Sequence, residues 1–139
     1  YLAKISGPLM DRIDLHVEVQ AVPYEKLADK REGESSATIR ERVMKARKIQ
    51  EERYKGIEGI HCNAQITPKL EKVHCKIDAS GEALMKNAME KLGFSARSYG
   101  RIFKVARTIA DLENEANIQA HHIAEAIQYR SLDRDGFLG

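Results

Sequence analysis

After residue 36, apolar residues recur every three or four positions, and a helix-capping residue stands before most of these runs. This spacing is that of one buried face of an α-helix, and Ser, Thr or Asp before such a run is typical of a helix start. The capping residues predicted from this pattern are Ser35 or Ser36, Thr67, Asp78 and Ser95. The sequence therefore predicts a mainly α-helical chain, with a bundle of about five helices over residues 36–131.

The same pattern predicts the boundaries and buried faces of these helices. They are expected over residues 36–54, 68–75, 79–92, 96–113 and 119–130, with Gly93 in the left-handed conformation that ends a helix. The first helix is expected to bury Ile39, Val43, Ala46 and Ile49. The helix that Ser95 begins is expected to bury Tyr99, Ile102, Phe103, Ala106, Ile109 and Ala110.

The region before the bundle has a different pattern. A short helix is predicted over the segment GPLMDR, and the alternation of apolar and polar side chains over residues 13–19 predicts a β-strand. A lone strand is not stable, and the chain starts without a methionine. We therefore expect a piece of a longer protein whose other part holds the partner strands. Residues 23–35 are predicted to be a linker and residues 132–139 a flexible tail.

Charge and composition exclude several classes of protein. Charged residues make up 32% of the chain, but the net charge is only +2, which excludes a histone-like protein that coats nucleic acid. The charged face over residues 40–53 is interpreted as solvated surface, with DNA contact as the alternative. No apolar run is long enough to cross a membrane and no signal peptide is visible. The two cysteines are expected to be free thiols, so we expect a cytoplasmic protein without a membrane partner.

Two kinds of site are not predicted for this chain. It has no Walker A loop and no Walker B strand, so the chain alone is not expected to hydrolyse a nucleotide. Adjacent metal-ligand residues occur at His61–Cys62, His74–Cys75 and His121–His122. Paired zinc ligands are usually at least two residues apart, and adjacent residues on a helix point about 100° apart. We therefore predict no metal site.

Arg97 is the residue whose position most favours a phosphate ligand. It lies in the first turn of the helix that Ser95 begins, where free backbone N–H groups and the helix dipole attract an anion. An arginine there repels its own helix end, so a phosphate or an acidic partner is expected to supply the negative charge. Lys104 and Arg107 are interpreted as solvated surface, and Arg101 is left undecided.

Arg12 also stands at the end of a predicted element, in the segment MDRID. Its neighbours Asp11 and Asp14 could pair with it. Alternatively, an arginine held at the end of a rigid element could reach the nucleotide of a neighbouring subunit. The residues themselves leave both interpretations open.

Five segments resemble the C-terminal part of the magnesium-chelatase-like AAA+ proteins, the ComM/YifB competence-protein family. They are ISGPLMDRIDLHVEV, GESSATIRERVMKAR, NAQIT, GFSARSYGRIFKVARTIADLE and AEAIQYRSLDR. The resemblance covers nearly the whole chain. It implies that residues 1–22 end the AAA+ α/β core, with residues 13–19 as its last strand, and that residues 36–131 form the helical lid.

The resemblance also implies roles for individual residues. Arg12 would be an arginine finger that acts in a neighbouring subunit, and Arg97 would be the sensor-2 residue of its own subunit. Arg101 would be a weaker candidate for binding the nucleotide. Loss of the γ-phosphate would release the lid, which would move about a hinge near residues 20–24.

For the full-length protein, the resemblance implies an ATPase with ATP and Mg²⁺ as cofactors. It further implies a homo-oligomeric ring, usually a hexamer, that works on DNA in competence-type branch migration. Two alternatives stay open from the sequence. The chain could belong to the motor subunit of a magnesium chelatase, or it could be a non-enzymatic helical module that binds DNA or a protein.

Overall fold

The computed structural model describes residues 4–29, 31 and 33–130, and most of these residues lie in helices. The α-helices are α1 (Gly7–Arg12), α2 (Tyr24–Leu27), α3 (Ser36–Arg53), α4 (Pro68–His74), α5 (Ala79–Leu92), α6 (Ala96–Leu112) and α7 (Ala120–Gln128). A short 3₁₀ helix over Asn63–Gln65 interrupts the loop between α3 and α4. The prediction of a mainly helical chain is therefore confirmed.

Side-chain caps begin most of the longer helices at the predicted residues. The caps of α3 to α6, in that order, each accept a hydrogen bond from the backbone N–H three residues further on; they are Ser35, Thr67, Asp78 and Ser95. Each such bond satisfies one of the N–H groups that a helix start leaves without a partner. Gly93 ends α5 with φ of 66°, in the left-handed region where a Cβ would be strained.

Helix α6 is the centre of the bundle, because α1, α3, α4 and α7 all pack against it. Its buried face consists of Ile102, Phe103, Ala106, Ile109 and Ala110, as predicted. The rest of the apolar core comes from the loops and helices around it, including Tyr54, Ile66, Met85, Phe94, Ile118 and Ile123. Burying a side chain such as Ile102 stabilises the fold by roughly 1.5–3 kcal/mol, so α6 holds the bundle together.

The predicted strand over residues 13–19 is not formed. No strand is assigned anywhere in the described ranges, and residues 13–19 form neither a helix nor a ladder with another segment. Leu15, Val17 and Val19 are 49%, 63% and 86% exposed, so the apolar side chains that the alternation placed on one face have nothing to pack against. A strand needs neighbouring strands to satisfy its backbone groups, and the described residues provide none.

Two further predictions about burial need correction. Ile39 and Val43 are about 40% exposed, at 43% and 42%, because the buried residues of α3 begin only at Ala46. Tyr99 is 41% exposed, although its ring contacts Phe103 edge-on. The segment predicted as a linker contains the one-turn helix α2. The predicted tail, residues 132–139, lies outside the described residues.

Candidate functional site

Arg12 is the last residue of α1, and its side chain is exposed. The helix forms because Ser6 caps its start, accepting a hydrogen bond from the Leu9 N–H, and because Pro8 stands in its first turn. A cation in the last turn of a helix interacts favourably with the helix dipole. The structure therefore places Arg12 at a helix end, with its guanidinium group in solvent.

Arg97 lies in the first turn of α6 and is also exposed. No acidic residue stands in that turn. An acidic side chain reaches the start of α6 from α1, because the Ser95 hydroxyl donates to Asp11 Oδ2 over 2.9 Å. This bond brings the end of α1, where Arg12 stands, beside the start of α6, where Arg97 stands.

Arg12 and Arg97 make no side-chain hydrogen bond and no ion pair with any residue that the structure describes. Asp11 bonds to Ser95, and Asp14 pairs with Arg101, so the two carboxylates predicted as alternative partners of Arg12 are used elsewhere. The two predicted site residues thus stand at helix ends that the Ser95–Asp11 hydrogen bond joins, and no described residue pairs with either guanidinium group.

Arg101, the weaker candidate, is in a different environment. Its guanidinium group is partly buried and is held by the Asp14 carboxylate. A phosphate would have to compete with this ion pair. Lys104 is also partly buried rather than fully solvated, and its positive charge opposes the rise that burial causes in the pKa of the Glu71 carboxyl.

Arg107 is not a solvated surface residue, so that interpretation was wrong. Its side chain is only 3% exposed. It donates to the backbone carbonyls of Glu115 and Ala116 over 2.7 and 2.9 Å, and it pairs with Asp111 one turn along α6. The carbonyls of the turn after α6 and the carboxylate replace the water that a buried guanidinium loses.

Asp111 is the centre of a buried polar cluster at the C-terminal end of α6. Its carboxylate accepts hydrogen bonds from Arg53 over 2.6 and 2.9 Å and from the Asn63 amide over 2.9 Å. The Asn63 oxygen in turn accepts from the Tyr54 hydroxyl over 2.6 Å. These bonds join α3, the 3₁₀ helix and α6, and the Asp111 carboxylate raises the pKa of Arg53.

Arg130 is a second buried arginine that the sequence did not reveal. It is fully buried, and it donates to the backbone carbonyls of Met10 and Asp11 over 3.1 and 3.3 Å and to the Ser98 hydroxyl over 3.2 Å. It therefore links the end of α1 to the first turns of α6.

The structure brings together one group of potential metal ligands within the part of the chain that it describes. Glu113, His121 and His122 offer ligand atoms that all lie within 4.8 Å of one another. Our prediction that the adjacent histidines point apart was wrong, because both Nε2 atoms contact the Glu113 carboxylate. These contacts, first that of His121 and then that of His122, lower the pKa of Glu113.

The hydrogen bonds of His122 show why this group does not fit a metal ion. Its Nδ1 faces the backbone N–H of Gln119 over 2.9 Å, so Nδ1 must accept. The neutral ring then carries its proton on Nε2, and this N–H donates to Glu113. A metal at Nε2 requires the opposite tautomer, in which the other ring nitrogen donates. Holding a metal would therefore break the cap of α7.

The two cysteines are both free thiols. Burial raises the pKa of Cys75 to about 12, so its thiol stays protonated and unreactive at neutral pH. Burial also lowers the pKa of the neighbouring His74, whose ring packs edge-on against Tyr54. Cys75 thus belongs to the core, and His74 lies half-buried beside it.

Among the described helices, none is both long and apolar enough to span a membrane.

Two family models match successive parts of the chain. A family model described as "Magnesium chelatase, subunit ChlI C-terminal" matches residues 33–130, and one described as "Magnesium chelatase, subunit ChlI" matches residues 1–27. The first match alone covers well over half of the chain.

Individual relatives align over nearly the full chain. Competence protein ComM of Haemophilus influenzae is 43% identical over 135 residues, which are 96% of this chain and 26% of that protein. The YifB protein of Escherichia coli is 37% identical, and that of Salmonella typhimurium 36%, over the same shares. The chain thus spans about a quarter of the length of these relatives, and it belongs to the magnesium-chelatase-like family that includes ComM and YifB.

Proposed function

We propose that this chain is the helical lid of an AAA+ ATPase that couples ATP hydrolysis to DNA processing. In this proposal Arg12 and Arg97 bind the nucleotide's phosphates. The observation that carries it is the placement of two exposed arginines without a partner among the described residues, at helix ends that the Ser95–Asp11 hydrogen bond holds together. Family membership supports the same assignment.

The chemistry of phosphoryl transfer explains why such arginines matter. Negative charge spreads over the γ-phosphate oxygens in the transition state, and the protein accelerates the reaction mainly by positioning and electrostatic stabilisation. A guanidinium group can bind two phosphate oxygens at once. Arg97 would bind the nucleotide of its own subunit beside the free N–H groups of α6, and Arg12 would reach the nucleotide of a neighbouring subunit.

Other groups must complete this site. The side chains that this chain contributes, Arg12 and Arg97, are cations. They can bind phosphate oxygens but cannot coordinate Mg²⁺, which takes oxygen ligands. We therefore propose that Mg²⁺, which would neutralise charge on ATP, is held by other parts of the full-length protein. Arg101 would join the site only if its ion pair with Asp14 opened.

We also propose that the full-length protein forms a ring and acts on DNA. An arginine that acts in a neighbouring subunit requires an oligomer, for which we propose a homo-oligomeric ring, usually a hexamer. DNA is proposed because the relative from Haemophilus influenzae is named a competence protein. We place this ATPase in the cytoplasm, where DNA is processed.

The test is ATP turnover by the full-length protein without DNA. We expect Arg12→Ala and Arg97→Ala each to lose at least about 10²-fold in turnover, since removing a comparable charge at a phosphoryl-transfer site costs 10³-fold or more. Arg47→Ala, which removes an exposed arginine on α3, is the matched control and should leave turnover unchanged. Wild-type turnover in both arginine variants would contradict the proposal.

A second measurement distinguishes an ATPase that acts on DNA from the motor subunit of a magnesium chelatase. At low salt, forked DNA should stimulate ATP turnover if the protein works on DNA, because phosphate contacts strengthen as salt is lowered. Stimulation by a porphyrin, with insertion of magnesium into it, would instead support the chelatase function that the family description names. A wild-type protein without any ATP turnover would leave the third alternative, a non-enzymatic binding module.

A further inference from the structure

Arg130 is the most deeply buried charged residue that the structure describes, since its side chain has no exposed surface and is the largest of the fully buried ones. Its guanidinium nitrogens donate to four backbone carbonyls within residues 10–14. The acceptors are the carbonyl oxygens of Met10, Asp11, Ile13 and Asp14. A charged group buried in this way must replace its lost water with protein acceptors.

These carbonyls belong to the end of α1. The last carbonyls of a helix have no intrahelical partner, and a cation near them also interacts favourably with the helix dipole. Arg130 therefore caps α1 from a position about 120 residues further along the chain. The same guanidinium donates to the Ser98 hydroxyl in the first turn of α6, so it bridges the two helices.

Three other contacts fix the same segment against the bundle. The His16 N–H donates to the Tyr129 carbonyl over 2.7 Å, the Ser95 hydroxyl donates to Asp11, and Arg101 pairs with Asp14. From residue 17 to residue 23 the chain forms neither helix nor strand, and its side chains are exposed. Residues 10–16 are thus attached to α6 and α7, whereas residues 17–23 are not.

We propose that Arg130 is a positioning residue that locks Arg12 to Arg97. By holding the end of α1 on the first turns of α6, it makes the two arginines move as one unit with the lid. This inference rests on the proposed function. Because residues 17–23 connect two parts of this same unit, the hinge between lid and core would lie before α1, so that Arg12 follows the lid and not the core.

The geometry of this contact requires an arginine. A planar guanidinium group has five N–H donors in a fixed fork and can reach several carbonyls from one position. A lysine ammonium keeps the charge but has only three donors at one point, so it cannot span the same acceptors. Arg130→Lys should therefore weaken the lock while keeping the buried charge, and Arg130→Met should remove the lock.

The test uses the full-length protein with two nitroxide labels on cysteines introduced at Leu9 and Lys91, after removal of the other cysteines and dilution with unlabelled protein. Both positions are exposed in α1 and α5. Pulsed electron paramagnetic resonance should give one narrow distance in the wild type. We expect the distribution to broaden in Arg130→Lys and to broaden further in Arg130→Met.

ATP turnover is measured on the same variants without labels. Because a displacement of about 1 Å can cost about 10²-fold in rate, kcat should fall by up to that factor in Arg130→Met, with KM for ATP changed less than about threefold. Adding Arg12→Ala to Arg130→Met should then cost far less than Arg12→Ala costs in the wild type, since an unlocked Arg12 is already misplaced.

Arg107→Lys is the matched control, because Arg107 is also buried and donates to backbone carbonyls, but not to those of α1. It should leave the label distance narrow and kcat close to that of the wild type. Thermal unfolding checks that each variant folds. If Arg130→Met does not fold, the conclusion is drawn from Arg130→Lys.

The outcomes separate this inference from the proposed function. An unchanged narrow distance and an unchanged kcat in Arg130→Lys and Arg130→Met would overturn the role of Arg130. Arg107→Lys with the same losses as Arg130→Lys would overturn it too, since the effect would then be general destabilisation. A wild type without ATP turnover would overturn the proposed function, while the label distances would still show whether Arg130 holds the segment.

Discussion

Asp111 and Arg97 are charged residues at opposite ends of α6, and their environments differ: Asp111 is buried and paired, whereas Arg97 is exposed and unpaired among the described residues. At the C-terminal end, Asp111 is 2% exposed and its carboxylate is held by Arg53, Asn63 and Arg107. At the N-terminal end, Arg97 is exposed and has no side-chain partner in the described part of the chain, and neither has Arg12 beside it.

The difference follows from the cost of burial. A buried charge without partners costs several kcal/mol, so a stable fold must satisfy it internally. An exposed charge keeps its water and costs almost nothing when it is left alone. The Asp111 cluster therefore supports the fold, whereas the fold gives Arg97 no charged partner among the described residues.

The largest expected effect is at the buried end. Asp111→Ala leaves the guanidinium groups of Arg53 and Arg107 without their carboxylate, and breaking a buried ion pair in this way costs about 3–5 kcal/mol. We expect the free energy of unfolding, measured by urea denaturation, to fall by that amount. Glu90→Ala, which removes an exposed carboxylate on α5, is the control and should change it by less than about 0.5 kcal/mol.

A smaller, pH-dependent effect is expected at Glu113, which follows α6 directly. Its pKa is lowered from its ordinary value of 4.5 by hydrogen bonds from His121 and then His122. A carboxyl group with a lowered pKa stabilises the fold above the unfolded value and loses this contribution as the pH falls through the folded value.

The difference in Tm between the wild type and Glu113→Gln should therefore be largest near pH 5 and shrink as the pH is lowered towards 3. Thermal unfolding of both proteins across this range is the measurement. A difference that stays constant with pH would mean that the histidine contacts do not stabilise the ionised carboxylate.

The smallest effect on stability is expected at Arg97, in the first turn of α6. Arg97→Ala removes no side-chain contact with a described residue, so the free energy of unfolding should change by less than about 0.5 kcal/mol. The matched variant Arg107→Ala, on the same helix but buried, should lose several kcal/mol. If Arg97→Ala destabilised the chain as much as Arg107→Ala does, the contrast between the two ends would be wrong.

Local interactions could be predicted from the sequence, and distant ones could not. The caps at Ser35, Thr67, Asp78 and Ser95 depend on the next three residues only, so each was predicted correctly. The pair formed by Arg53 and Asp111 joins residues 58 positions apart, and periodicity carries no information about it. Arg107 could have been identified, because it lies one turn after the buried Phe103.

For the candidate site, too, the sequence predicted the positions of single residues but not the contact between distant segments. The positions of Arg12 and Arg97 at helix ends follow from the caps and from the GPLMDR segment. The contact that brings these ends together, Ser95 with Asp11, joins residues 84 positions apart and could only be seen in the structure. The predicted strand failed for the related reason that strand formation depends on distant partners, which the described residues do not contain.

In the proposed function, Arg97 and Arg12 act on a nucleotide, and Arg12 reaches the nucleotide of another subunit. The most direct measurement mixes the full-length Arg12→Ala variant with a variant whose own phosphate-binding loop is inactivated, each nearly inactive alone. We predict that ATP turnover recovers in the mixture, because some interfaces then pair an intact Arg12 with an intact phosphate-binding loop. No recovery, in rings shown to contain both variants, would contradict the account.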